Sequence, residues 1–528
     1  MFLFTVNQEL TIDFSKKMQF SDVFVILVII LNFALVFLLP CFKTLRQKMI
    51  TNTYVFVMNR IRRVKVIRPD GTLVPKKAVK FTGNIRDRVE MDSTQLGPMY
   101  VFDDGPQQIL AIGNLELSRE YYKMIFRTNT RSYPYLGYVF EKLLSRSIGA
   151  NTGKNWEELK KPLTKFFTTN SLKMHYDMIV QNTENWLQET FDNTSDNYDN
   201  TSDNYDNTLD NHENNICERR LQDVSFDKLT VGIIATIIFG EITDNDLHEL
   251  RYLFKSHNHM MTIMGCDMNL RVPNILRKFN NTKNIMAVDT FWERWSAFND
   301  KFIKNPQENS LLFTLLENTA YSDRLTLIHT LYEIALFNLD IMIDSFANLL
   351  WNVGSNPDVQ ELMFEECKPI PIEDFQSLNT STMVKAVINE SARLAPGVTL
   401  TFAETVMEPV EICGYKIPAG TKVSIDTQMV NRDPQVWENP HDFDPNRFIK
   451  DSKLDQMLIH NFHRFGLGPR KCLGNIYGDY ILMIGIIMII KKFKISIKNN
   501  KLITEQKLTI PNISNLDMTN TITFTYRQ

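Results

Sequence analysis

The 528-residue chain has almost no net charge, since 58 lysines and arginines stand against 61 aspartates and glutamates to leave −3. That provides no basic field of the kind that draws nucleic acid. Cysteine is scarce: Cys41, Cys217, Cys266, Cys367, Cys413 and Cys472 are the only six, and they follow no framework spacing. A disulfide scaffold is thereby excluded, and a reducing compartment suits the pattern. No linker divides the chain, although its length would allow several domains by the usual size rule. The apolar fraction of 44% and the charged fraction of 23% are ordinary for a globular protein, so most of the chain can bury a core.

One long apolar run is present. Val23 to Leu39 contains a single polar residue, Asn32, and continues through Pro40, Cys41 and Phe42. About 20 helical residues rise roughly 30 Å, enough to cross a bilayer. The run is too long and too far from the N-terminus for a signal peptide, and no small-residue cleavage site follows it. Lys43, Arg46, Lys48, Arg60, Arg62, Arg63, Lys65 and Arg68 lie on its C-terminal side. Only Lys16 and Lys17, diluted by Glu9, Asp13 and Asp22, lie on the other. The positive-inside rule then makes 1–22 a non-cytoplasmic segment, 23–42 a transmembrane anchor and 50–528 a cytoplasmic domain.

The most informative stretch is Phe465-Gly466-Leu467-Gly468-Pro469-Arg470-Lys471-Cys472-Leu473-Gly474. Gly468 and Gly474 bracket the cysteine and allow a tight turn against a flat group. The apolar segment Ile481 to Ile490 follows, so Cys472 is expected just before a helix N-terminus, where the dipole and free N–H groups favour a thiolate. Arg470 and Lys471 add positive charge, and Phe465 offers an apolar lid for the sulfur. A lone cysteine ordinarily just fills space. No second cysteine or histidine stands nearby at zinc-ligand spacing. What the stretch suits is the axial ligand of a haem iron, where a shielded thiolate favours O–O cleavage.

The ten-residue pattern F-x-x-G-x-R-x-C-x-G resembles that of the cytochrome P450 family, and further motifs run in the family's order along roughly residues 96 to 480. The resemblance implies a mainly α fold with small β-sheets (α+β), a b-type haem with Cys472 as its iron ligand, and Phe465, Gly468, Arg470 and Gly474 around the cofactor. Trp156 and Lys160, four apart and so on one helix face, match the residues that grip a haem propionate, with lysine in place of the usual arginine. Glu390-Ser391-Ala392-Arg393 and the Arg447 of Asp444-Pro445-Asn446-Arg447-Phe448 match a buried structural triad. Glu404 stands where members often carry a propionate-binding arginine.

Leu331 to Val353 lacks proline and glycine and reads as a central helix. The resemblance places it over the distal side of the haem, with Phe337-Asn338-Leu339-Asp340-Ile341 on the family's A-G-x-[DE]-T. Asp340 retains the acid, whereas Ile341 replaces the threonine hydroxyl. Oxygen activation needs protons, so a displaced relay through Asp340 and Ser345 is one reading, and water alone is another. The resemblance further implies a monooxygenase acting on an apolar small molecule, fed by an NADPH-dependent reductase or another donor at a basic surface near Arg464 and Lys471. Family members from eukaryotes are anchored on the endoplasmic reticulum; the proline-rich hinge that often follows their anchor is missing here. An isomerase, dehydratase or peroxide user needing no relay, and a tethered haem binder without turnover, remain alternatives. Val398, Thr399 and Leu400 are candidate pocket residues.

Residues 192–215 form a near-perfect seven-residue repeat, DNTSDNY-DNTSDNY-DNTLDNH, followed by ENN, with almost nothing to bury, and read as a disordered insertion. Its sequons at Asn193 and Asn200 would go unused in the cytoplasm. Deleting one unit, residues 193–199, should leave the calorimetric unfolding midpoint in place, because shortening such a loop alters closure entropy by only about 0.3 kcal/mol.

Overall fold

Two apolar runs flank Asp103-Asp104-Gly105-Pro106, and in the computed structural model they form the expected hairpin: Met99–Asp104 pairs antiparallel with Gln107–Ile112. The structure describes residues 49, 51–58, 63–77, 97–125, 130–131, 137–192, 216–220, 224–266, 270, 282–449, 462–498 and 521–527. The segment 1–22, the anchor 23–42 and, except for Asp192, the insertion 192–215 lie outside the described residues.

The hairpin belongs to a six-stranded sheet. Its order is Lys76–Lys77, Met99–Asp104, Gln107–Ile112, Lys422–Ile425, Glu404–Thr405 and Thr130–Arg131. Val410–Ile412 and Tyr415–Ile417 pair as the sequence pattern suggested, through a turn with Cys413 at φ 47° and Gly414 at φ 81°. A third sheet joins Phe493–Lys498, Thr521–Tyr526 and Ile216–Arg220. The first sheet carries its own small core, including Val101, Leu110, Val423 and Ile425, while a much larger core fills the helical part.

Two long helices cross inside that larger core. The first runs from Arg324 to Ser355 and is the only stretch among the described residues both long and apolar enough to span a bilayer. Here it is a core helix, with Phe346, Leu349 and Leu350 fully covered by protein. The sequence suggested one unbroken helix over 331–353. Instead Arg324–Tyr332 is α-helical, Glu333–Phe337 makes a π turn, and Leu339–Ser355 resumes the α-helix. The wider turn frees the Glu333 carbonyl, and the Asn338 amide donates to it at 2.8 Å with Asn338 at φ −109°, ψ 1°. Asparagine competes well for such backbone groups, and turns of this kind recur at functional sites.

The second helix, Asn475–Lys492, follows Cys472 directly. It is apolar nearly all round, as a fully packed helix must be, and Ile484, Ile486, Ile487, Ile489 and Ile490 have no accessible surface. Lys491 and Lys492 close its last turn. His175 and the Tyr477 hydroxyl, 2.9 Å apart, tie it to the helix Thr169–Leu187.

The two long helices touch at Gly485, where an added Cβ would lie 2.6 Å from Cε1 of Phe346. A ring held in a dense core cannot retreat without displacing its neighbours. Gly485→Ala should therefore destabilise the fold by about 1–3 kcal/mol in denaturant titration, and Phe346→Leu in the same chain should recover part of the loss.

Candidate active site

The Cys472 loop is a closed turn. The Cys472 N–H donates to the Phe465 carbonyl at 2.8 Å, and Gly468–Arg470 forms one short 3-10 turn within it. Gly468 is at φ 71° and Gly466 at φ 72°, left-handed conformations that favour glycine. Gly474, at φ −79°, has no such need, and a Cβ there would lie at an ordinary contact distance, 3.9 Å, from the Cys472 Sγ. Sequence reading singled out Gly468 and Gly474 and missed Gly466.

Cys472 keeps accessible surface, yet burial pushes its thiol pKa up. The Gly474 N–H and Lys471 pull the other way without overcoming burial, and Asp479 adds to the rise. The Gly474 N–H and Lys471 thus act in the direction expected of the loop, against burial. Arg470, counted on for that effect, turns elsewhere, with its guanidinium donating to the Asn151 carbonyl at 2.8 Å.

Arg470 instead joins Trp156 and Lys160. Its guanidinium carbon lies 4.6 Å from the centre of the Trp156 ring and the Lys160 ammonium 4.8 Å from it. Lys160 also donates to the Pro469 carbonyl at 2.6 Å, so the helix Gly153–Phe166 is bolted onto the cysteine loop. Burial lowers the Lys160 pKa, and the Arg470 charge lowers it further. Two neighbouring cations that discourage each other's charge form a good seat for an anion such as a carboxylate.

Glu404 pairs with a residue that sequence reading overlooked. Arg131, on the neighbouring strand, reaches it at 3.4 Å and also lies 5.8 Å from the Phe402 ring. Glu404 thus has a cation from position 131 beside it. The reversed sign at 404 was the only signal that such a partner should exist. Glu333, its carboxyl pKa raised by burial, accepts from the Gly149 N–H at 2.9 Å and feels both Arg131 and Arg470.

On the central helix, Asn338, Ile341, Met342 and Ser345 keep accessible surface while Phe337, Leu339, Ile343 and Phe346 are buried. At ~100° per residue those four share one face. Through Met342 this face reaches the cysteine loop. Met342 Cε and the Phe465 ring both lie within 4 Å of the point where a Cβ on Gly478 would sit, and Ile341 Cγ2 would touch one on Gly397. Asp340 Oδ1 accepts from the Ile341 N–H at 3.0 Å, and the Ser345 hydroxyl donates to the Ile341 carbonyl at 2.7 Å. Both polar groups are therefore anchored to the backbone of the residue that stands in the threonine's place. Val398 and Leu400 are partly accessible beside Gly397, whereas Thr399 is buried.

Behind the loop, Glu390 and Arg393 have no accessible side-chain surface and meet through two hydrogen bonds of 2.7 Å. Arg393 also donates to the carbonyls of Asn431, Pro440 and Asp442. Arg447 Nε lies 3.4 Å from Glu390 Oε1, and the Asp444 N–H donates to that oxygen at 2.9 Å. The structure brings all three residues of the expected triad together. Arg464 is a correction: instead of lying on an exposed basic surface it is 11% exposed and paired with Asp479 at 2.6 Å.

The sequence profile of the family "Cytochrome P450" matches residues 75–517. The chain is 27% identical over 378 residues to cytochrome P450 monooxygenase gliC of Aspergillus fumigatus, covering 68% of this chain and 70% of that one. It is 25% identical over 358 residues to cytochrome P450 monooxygenase aclC of Aspergillus oryzae, covering 66% and 68%. Its fold superposes on retinoic acid-bound cyanobacterial CYP120A1 with a TM-score of 0.65 at 16% identity, covering 82% of this chain and 93% of that one.

Glu390→Gln would leave Arg393 and Arg447 buried without their counter-charge. The expected loss is about 3–5 kcal/mol of unfolding free energy, read by denaturant titration; a change under about 1 kcal/mol would mean that the cluster is not a structural lock.

Proposed function

The chain belongs to the cytochrome P450 family, a group of haem-thiolate oxidoreductases, and from that premise we propose that Cys472 is its axial iron ligand and that it oxygenates an apolar small molecule with O2 and electrons from a reductase. The supporting observation is that the accessible face of Asn338, Ile341, Met342 and Ser345 meets the cysteine loop where Met342 and Phe465 come together, while Lys160 and Arg470 gather at Trp156 beside that loop and Arg131 acts with Arg470 on Glu333.

These residues suit a haem. Phe465, Gly468 and Gly474 shape the side that carries the sulfur, and Trp156, Lys160, Arg470 and Arg131 can take the propionates. Bound there through a thiolate, haem supplies the one-electron and oxygen chemistry. The chain contributes position, exclusion of water and protons. Asp340, fixed by the Ile341 N–H, and Ser345, fixed by the Ile341 carbonyl, can each still accept a hydrogen bond from water and so hold a proton path beside the apolar Ile341. Val398 and Leu400, with Ile341, make an apolar wall that fits an apolar substrate.

Ile341 also favours a second reading, in which the enzyme is an isomerase, dehydratase or peroxide user that needs no relay. Stoichiometric consumption of reduced cofactor and O2 with product supports oxygenation; product without either supports the second reading. Failure of all three chemistries with a competent reductase would favour a tethered haem binder. The apolar run Val23 to Leu39 and the basic residues after it support a single-pass anchor, in the endoplasmic reticulum or another host membrane, with the catalytic domain facing the cytoplasm. An NADPH-dependent reductase would then approach the side of the exposed Lys471.

The test is the absorption spectrum of the reduced, carbon-monoxide-bound protein. Wild type should show the thiolate-type Soret band and Cys472→Ala should lose it. Retention of that band in the variant would remove Cys472 from the iron.

A further inference from the structure

Two close contacts join the central helix to the segment 397–402. Ile341 Cγ2 lies 2.5 Å from where a Cβ on Gly397 would sit, so only a glycine at 397 lets the isoleucine come so near that backbone. Four residues earlier on the helix, the Phe337 ring stacks on that of Phe402, with centroids 5.9 Å apart and an angle of 29° between the planes. Phe140, on the helix Tyr138–Leu143, meets both rings edge-on at 5.5 Å and 6.2 Å. Neither side of this seam can easily give way. The Thr427 N–H donates to the Thr399 carbonyl and the Thr401 N–H to the Ile425 carbonyl, both at 3.0 Å, which pins the segment to its sheet. The helix is held in turn by the fully covered Phe346, Leu349 and Leu350. Val398 and Leu400, on the segment between the two contacts, keep accessible surface.

We propose that Ile341, seated against Gly397, is the specificity-determining residue of the site and selects apolar substrates that present a slender end, such as an unbranched chain, over branched or globular ones. This rests on the haem reading above. Ile341 is the neighbour of Met342, through which the helix reaches the cysteine loop, so its contact closes the seam at the end where the chemistry takes place. The Phe337 and Phe402 rings continue the closure away from that end. A bulky group beside Ile341 would have to part a helix held in the core from a segment held by backbone hydrogen bonds. Densely packed protein resists such parting, and overfilling it costs more than leaving it slightly underfilled. An unbranched chain needs no parting and can lie along Val398 and Leu400.

The experiment uses the full chain loaded with haem and two nitrogen ligands of the iron, N-octylimidazole with a slender tail and N-adamantylimidazole with a globular one. Dissociation constants are read from the shift of the Soret band. Wild type should bind the octyl ligand at least about tenfold more tightly than the adamantyl one. Ile341→Ala should tighten the adamantyl ligand by about tenfold and move the octyl ligand by less than about threefold. Ile341→Val retains the Cγ2 that meets Gly397 and should keep the wild-type ratio. Gly397→Ala should weaken both ligands, and adding Ile341→Ala to it should restore octyl binding. Ile341 is partly accessible, so its truncation can fold even if Gly397→Ala does not, and it decides the matter alone. Equal binding of the two ligands by wild type, or a ratio that Ile341→Ala leaves unmoved, overturns the specificity role. A wild type without the thiolate-type band overturns the haem reading and the specificity role together; with the band present, an unmoved ratio overturns the specificity role alone.

Discussion

Two opposite charges sealed from water, Glu390 and Arg393, are the constraint from which the rest of the site hangs. Taking each from water costs several kcal/mol, which their attraction offsets only when the geometry is good and the remaining donors are used. Arg393 meets that condition by donating to the carbonyls of Asn431, Pro440 and Asp442, and Arg447 and the Asp444 N–H complete the surroundings of Glu390. Those groups belong to the irregular segment before the cysteine loop. Hydrogen bonds are directional where apolar packing is not, so the pair gives a segment with little regular structure one conformation. Asn431 passes the constraint on to His463, two residues before Phe465.

The loop that is fixed in this way offers geometry more than chemical activation. Burial makes the Cys472 thiol harder to ionise, and the loop's own cation Lys471 does not reverse this. On the proposed reading a bound metal would stabilise the anionic sulfur, in keeping with the rule that a coordinating thiol loses its proton to the ion it binds. The cationic rim does different work. Arg470, Lys160 and Arg131 are drawn from three separate parts of the chain, and the first two gather at the indole of Trp156. Arg131 already has the Glu404 carboxylate beside it, so Lys160 and Arg470 are the two charges that a further anion would relieve.

The opposite wall shows what the replacement of a hydroxyl by Ile341 entails. Asp340 and Ser345 turn back on the Ile341 backbone, and the π turn before them brings Asn338 to the open face. The polar groups that remain are spread around an apolar centre instead of forming one line. On the proposed reading, water held between them would carry the proton.

Much of this was legible in one dimension. The hairpin at 99–112, the helix that ends at Leu394, the buried helix after Cys472 and the triad of Glu390, Arg393 and Arg447 all rest on local periodicity or on motifs of fixed spacing, which the chain carries with it. Three features did not. The π turn at Glu333–Phe337 leaves no mark in an apolar pattern. Arg131 stands 273 residues from its partner Glu404, and Arg464 looks like any surface cation until Asp479 and Asn389 close around it. Sequence by itself determined which residues could carry a haem-thiolate site, because those residue types recur at short, fixed separations. Only the tertiary structure decided which charges face one another and what burial does to them, because a charge's energy depends on its partners and its distance from water, and both are set by chain segments hundreds of positions apart.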